Sequence, residues 1–117
     1  NKRYELDDIM LLKVGRHIRP KPNFKLIVAR DSGETHYLQG YRSRFNHLTM
    51  TSHSGPLTLL EGEVTRDDVE LAARIAARYG QGRDAGCVEF DAVVDGLSRV
   101  VAVQPLAPEN VMPEWVL

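Results

Sequence analysis

The sequence predicts an α+β domain, a small mixed sheet with two main helices in the order β-β-α-β-β-α-β-β, ending in a β-hairpin. Three observations carry this: one helix with complete start and stop signals, one hairpin with a strong two-residue turn, and short β-forming runs before them. The helix starts at Thr65, an N-cap residue, with Asp68 at the third helical position in capping-box style and Asp67 complementing the positive helix end. Val69, Ala72, Ala73, Ile75, Ala76 and Tyr79 form its apolar stripe, and Gly80 stops it. Arg66, Glu70, Arg74 and Arg78 line its other side. The hairpin pairs residues 87–94 with 97–103 across Asp95-Gly96, a dipeptide suited to the positive φ of a tight turn.

The remaining elements follow in order. Residues 9–14 (IMLLKV) form an apolar run closed by Gly15, the pattern of a buried strand. Pro20 and Pro22 forbid a helix over 16–23 and predict an extended connection. Residues 24–29 (FKLIVA) read as a second strand. Asp31, Ser32 and Gly33 then break the chain, with Asp31 or Ser32 available as an N-cap. Between residues 34 and 45, Leu38, Tyr41 and Phe45 recur at helical spacing, although Gly40 weakens that helix by about 1 kcal/mol relative to Ala. Residues 47–51 and 57–60 read as strands around a Ser-His-Ser-Gly-Pro turn. Pro105, Pro108 and Pro113 mark an irregular tail, in which Trp115 either docks on the body or simply ends the segment.

A chain of 117 residues with 43% hydrophobic and 26% charged residues suits one globular domain spanning 1–117. The start at Asn rather than Met suggests a fragment of a larger protein. No apolar run approaches the roughly 18 residues of a membrane span, and the acidic stretch after residue 4 does not resemble a secretory signal. A soluble, cytoplasmic protein is the expectation, in keeping with a single cysteine that allows no internal disulfide.

Catalytic constellations are missing from the sequence. There is no Gly-x4-Gly-Lys-Ser/Thr loop, no Gly-x-Gly-x-x-Gly fingerprint opening a helix and no Gly-x-Ser-x-Gly elbow. His47 and His53 come closest to a metal pair, but they lack the clustered Cys/His ligands of a zinc site. His53 beside Ser52 and Ser54 suggests a base and nucleophile, yet neighbouring side chains on an extended segment diverge. Cys87, at the head of an apolar strand, reads as an inert buried thiol. Glu61 and Glu63 read as a solvated pair. The expectation is no catalytic residue, no metal and no cofactor.

Charge is distributed unevenly. Residues 1–47 hold ten Lys/Arg against five Asp/Glu, a balance of +5, and residues 48–117 hold five against eleven, a balance of −6. Taken alone this fits a mixed solvated surface as well as a polyanion-binding half. From Lys13 to Arg30 the chain carries Lys13, Arg16, Arg19, Lys21, Lys25 and Arg30 without one acidic residue, and Arg42 and Arg44 extend the set. Distributed cations on a strand and a loop suit a phosphate backbone, with His17, Tyr37, Tyr41 and Phe45 close enough in sequence to stack on bases. Tyr41 and Phe45 are better explained as the buried face of the first helix. On this reading Lys21, Lys25 and Arg30 are surface cations whose replacement leaves stability intact.

Several segments together resemble the NFACT-R type of RNA-binding domain. KLIVARDSGETHYLQG is similar to its opening strand, Gly-Arg-Asn signature and helix. SHSGPLTLLEG resembles its Asp-x-Pro-Gly-type turn and central strand, and TRDDVELAARIAARYG its alanine-rich helix. LLKVGRHIR resembles the first strand of the version appended to PP-loop ATPases of the tRNA-thiolating type. The resemblance covers about residues 10–105 and lies in the order of the motifs. It matches Arg30 to the signature arginine and Gly55 and Pro56 to the turn, which also carries His53. Ala29 and Asp31 depart from the usual Gly and Asn, and Asp31 is placed to pair with Arg30 internally. The resemblance implies a non-catalytic RNA-binding accessory domain. Its partners would be tRNA and the catalytic domain of a tRNA-modifying, sulfur-transferring ATP pyrophosphatase in the same parent chain. The alternative is a protein-interaction domain docking on a catalytic domain or ribosome through an apolar patch near Val111 or Trp115. An enzyme fragment using His53 is the third reading.

Overall fold

The computed structural model describes residues 14–41 and 44–116. Its elements are β1 (Arg16–Lys21), β2 (Phe24–Val28), α1 (Ser32–Gln39), β3 (Asn46–Met50), β4 (Thr58–Gly62), α2 (Arg66–Ala77), β5 (Val88–Val94) and β6 (Leu97–Val103). Two single 3-10 turns, Pro108–Asn110 and Pro113–Trp115, follow. The α+β order is the one the sequence predicts. The six strands form one sheet in the order β1-β2-β4-β3-β5-β6. It is not mixed: every pairing is antiparallel.

Two elements differ from expectation. The stretch over 16–23 is a strand and a turn rather than a connection, and it supplies the first β of the order. Pro20 is accommodated because β1 is an edge strand whose register shifts between Ile18 and Lys21, so the missing N–H breaks no ladder. The strand expected over 9–14 lies outside the described residues apart from Val14. The first helix is also shorter than its periodicity suggests. Asp31 is its N-cap, accepting the Glu34 N–H at 2.8 Å, and the helix ends at Gln39, where Gly40 turns back onto Tyr37. Tyr41 and Phe45 therefore reach the core from a loop.

Alternation along the strands gives the sheet two faces. One face, with Phe24, Leu26, Leu48, Leu60 and Phe90, packs against the apolar stripe of α2 to form the main core. The other buries Ile27, Leu57 and Leu59 beneath Leu38 and Tyr41. Trp115 and Val111 are half-buried against the main core, and Val116 bridges to Ile18 on the β1 edge. Trp115 and Val111 therefore belong to the fold, while the apolar side chains next to them, Met112 and Val116, are exposed. Cys87 is exposed, not buried, because β5 begins one residue later.

The start of α2 is tied to β1 through Asp68, which is 2% exposed. Its carboxylate accepts from Lys21 Nζ at 2.7 Å, Asn23 Nδ2 at 3.0 Å and the Thr65 N–H at 3.0 Å, and Thr65 Oγ1 accepts the Asp68 N–H in return. The Lys21 ammonium, then the Thr65 N–H, hold the Asp68 carboxyl down at about 2, against opposition from burial. A depressed carboxyl stabilises the fold above its unfolded value, 3.8 for Asp, and that contribution disappears as pH falls through the folded value. Thermal unfolding measured from pH 5 to pH 2 should accordingly show Tm falling steeply below about pH 4. The Asp68→Asn variant should start lower and fall less steeply over that window. Parallel curves would remove Asp68 from the acid transition.

Candidate nucleic-acid interface

The chain ends of several elements meet at one end of the sheet. The loop after β2 and the turn before β4 are joined by Ala29 N–H donating to Leu57 O at 3.1 Å. The same turn is joined to the segment after α2 by Gln81 N–H donating to Ser54 O at 2.7 Å. Close packing here depends on glycine: a Cβ on Gly55 would run into the Met50 thioether and come within 3.3 Å of the Gly80 Cα. Between these segments lies an open cleft of about 320 Å³. Its walls are Arg30, Asp31 and Ser32 on one side, Ser54, Gly55 and Pro56 on another, and Tyr79, Gly80 and Gln81 on the third. Three of the segments that carry the motif resemblance, those holding Arg30, Gly55 and Tyr79, thus share one concave surface.

Arg30 lines the cleft, and three further arginines are connected to its third wall. Arg16 lies over the Tyr79 ring, 4.9 Å from its centroid, a cation–π contact that leaves its positive charge unneutralised. Arg78 Nη1 donates to Arg83 O at 3.1 Å, and Arg83 Nη1 donates to Gly80 O at 3.3 Å. These partners are carbonyls, which orient the guanidinium groups without neutralising them. Arg30 is held differently. Its Nε and Nη2 donate to Glu34, the shortest at 2.6 Å, and its own N–H donates to the same carboxylate at 2.8 Å. The Arg30 guanidinium brings Glu34 down to about 2, with burial opposing. Asp31, the partner anticipated for Arg30, caps α1 instead.

Of the other nominated residues, His53 rests against Gly82 beside the cleft, because a Cβ on Gly82 would fall 2.7 Å from the imidazole Cγ. Its Nδ1 lies 2.7 Å from Ser52 Oγ, which also accepts the Glu89 N–H at 2.9 Å. The two side chains do converge, contrary to expectation, because residues 51–53 bend rather than extend. The Glu89 N–H occupies the hydroxyl and ties this bend to β5, a structural use. Lys21 and Lys25 are not free surface cations. Lys21 is committed to Asp68, and Lys25, 7% exposed, pairs with Glu61 across β2 and β4 at 3.4 Å. Replacing them removes fold contacts, so the expectation of an inert substitution fails for both. Arg19 donates to Pro22 O at 3.1 Å in the β1–β2 hairpin, away from the cleft. Arg44 stands near the far end of α1, with its guanidinium carbon 5.3 Å from the Tyr41 centroid. Lys13 and Arg42 lie outside the described residues.

Sequence reading missed Arg78, Arg83 and Tyr79. The run RYGQGR after α2 was available as a signal, a basic helix end followed by glycines, but it sits in the acidic half of the chain. Among the described residues there is no group of three His, Cys, Asp or Glu side chains arranged to hold a metal ion, and no helix long and apolar enough to cross a membrane.

No curated protein matches the chain. Among solved structures, it is similar to the C-terminal part of the fibronectin/fibrinogen-binding protein from Streptococcus suis, with a TM-score of 0.68 at 14% identity. That similarity covers 95% of this chain and 49% of the other, so the chain spans about half the length of that structure, and at this identity the fold is what they share. The family model described as NFACT protein RNA binding domain matches residues 15–116, nearly the whole chain and the whole of the cleft. The chain therefore belongs to the family of NFACT RNA-binding domains, which are non-catalytic.

Proposed function

We propose that this domain grips the RNA phosphate backbone at the cleft between the Arg30 loop, the turn at residues 54–56 and the end of α2. The observation that carries the reading is that Arg16 and Arg83 attach to the cleft residues Tyr79 and Gly80, with Arg78 bonded in turn to Arg83, their charge held by an aromatic ring and carbonyls. Arg30 adds a fourth guanidinium, fixed by Glu34 with Nη1 uncommitted among the described residues. Guanidinium groups fixed in this way bind phosphate oxygens through paired N–H donors at little further entropic cost. Gly55 and Pro56 form part of the cleft wall with His53 beside it, Arg19 and Arg44 add positive charge elsewhere on the surface, and the ion-paired Lys21 and Lys25 serve the fold. Lys13 and Arg42 belong to the same proposal through their charge.

The RNA proposed is tRNA, and the domain serves as an accessory module for a catalytic domain of the sulfur-transferring ATP pyrophosphatase type. Support for this finer reading is the resemblance of LLKVGRHIR to the entry strand of the version appended to such enzymes. A competition titration tests it. Labelled tRNA bound to the domain should be displaced by unlabelled tRNA at least 10-fold more effectively than by double-stranded DNA of equal phosphate content. Equal displacement by the two would reduce the proposal to general polyanion binding.

A further inference from the structure

The opposite end of α1 carries a second concavity that the backbone-binding role does not use. It has a volume of about 590 Å³ and is lined by Gln39, Phe45, Asn46, His47 and the Asp95-Gly96 turn, with Arg44 at its rim. We propose that it receives one unpaired nucleotide of the RNA held at the arginine cleft, an inference that rests on the RNA-binding reading above.

Two of the pocket's polar side chains, His47 and Asn46, are held in place by the fold itself. His47 Nδ1 lies 3.2 Å from Phe45 O. A carbonyl only accepts, so this bond assigns the proton to Nδ1 in the neutral ring and leaves Nε2 as an acceptor. Asn46 Oδ1 accepts the Asp95 N–H at 2.9 Å, which leaves the amide group of Asn46 as a donor and pins the β5–β6 turn to β3. His47 and Asp95 thus bring acceptors, and Asn46 and Gln39 donors, to the lining of one space. The Watson–Crick edge of an unpaired base, which mixes donors and acceptors, is the complement of such a set. Phe45 and His47 are half-buried, and their remaining aromatic surface is available for a base to stack on. A paired base hides this edge inside the duplex, so the pocket selects single-stranded or loop RNA.

Spacing links the two sites. The eight residues of α1 span about 12 Å, with the cleft at the helix N-terminus and Gln39 at its end. At about 3.4 Å per phosphate step along a stacked strand, that is roughly three to four nucleotides. One strand is therefore able to lie along α1 with its backbone at Arg30 and one base turned into the pocket.

The test uses a hairpin RNA with an unpaired loop and a fully paired duplex of equal length, each titrated with wild type, His47→Gln and Phe45→Leu. Both variants should bind the loop RNA about 10-fold more weakly, in line with the loss of one stacked base, and bind the duplex like wild type. Thermal melting of each variant establishes that it is folded, and Phe45→Leu and His47→Gln alter the pocket through different residues. Equal affinity of variants and wild type for loop RNA, or equal weakening for both RNAs, would overturn the pocket while leaving RNA binding in place. If wild type binds neither RNA, the RNA-binding reading falls and the pocket falls with it.

Discussion

Simultaneous replacement of Arg16, Arg30, Arg78 and Arg83 by Ala is expected to weaken RNA binding by about 10³-fold at 0.1 M salt. The magnitude follows from counterion release. Each phosphate neutralised contributes roughly 0.7 to 0.9 to the slope of log K against log salt, which at 0.1 M amounts to about 0.8 of a decade per contact. Four contacts then account for about three decades. The loss should be uniform across RNA sequences, because phosphate contacts position the strand without reading it. The fold should tolerate the substitutions: the arginines' side-chain partners are the exposed side of the Tyr79 ring, the Arg83 and Gly80 carbonyls, and Glu34, and none of the four arginines is itself a core residue. A circular dichroism melt of the quadruple variant is the control. A Tm close to that of wild type is expected.

Gly62→Ala should have the reverse profile, a severe loss of stability with no altered RNA contact. Gly62 sits at φ +107, a backbone region that L side chains rarely adopt, and it pairs directly with Phe24 across β2 and β4. A Cβ there would collide with the Asn23 carbonyl oxygen and lie 2.9 Å from the Phe24 Cα. Both obstacles are backbone, so relief requires the strands to separate at a point where three contacts gather. The Asn23 carbonyl accepts the Glu63 N–H, and the Asn23 side chain donates to Glu63 O and to Asp68. Backbone strain and overpacking each cost on the order of 1–3 kcal/mol, so a combined loss of about 3–5 kcal/mol is expected, a large part of a small domain's stability. Urea unfolding measures it. Gly86→Ala, with nothing within 4 Å of its Cβ, is the control and should stay within about 0.5 kcal/mol. A similar small change in both variants would show that the β2–β4 pairing is able to shift.

The contrast between these two substitutions also explains what the sequence made legible. Local signals carried far: Thr65 and Asp68 form the reciprocal capping box that their spacing predicts, and Asp95-Gly96 closes the β5–β6 hairpin, with Asp95 at φ +54. β6 spans the predicted residues, since its alternation and its turn agree. Pro20 misled because a proline forbids only the donor side of a ladder, and an edge strand needs none there. Charge was the harder problem. Lys21 meets Asp68 from 47 residues away, a partnership set by where α2 lands on the sheet and invisible in local composition. Lys25 and Glu61 are likewise brought together by strand register. Counting charge by sequence halves therefore overstated the basic stretch 13–30 and concealed Arg78 and Arg83, which the chain returns to the Arg16 and Arg30 end. Within the site, Arg30, Gly55 and Pro56 were found through motif order, and Arg16 through the basic run.

The central claim, that the arginine cluster at the cleft is the RNA backbone site, is tested most directly by the salt dependence of tRNA binding in wild type and the quadruple arginine variant. Fluorescence anisotropy titrations between 50 and 300 mM salt should give a log K against log salt slope of magnitude at least about 3 for wild type, reduced by about 3 in the variant. A slope unchanged by the four substitutions would place the phosphate contacts elsewhere on the domain and contradict the account.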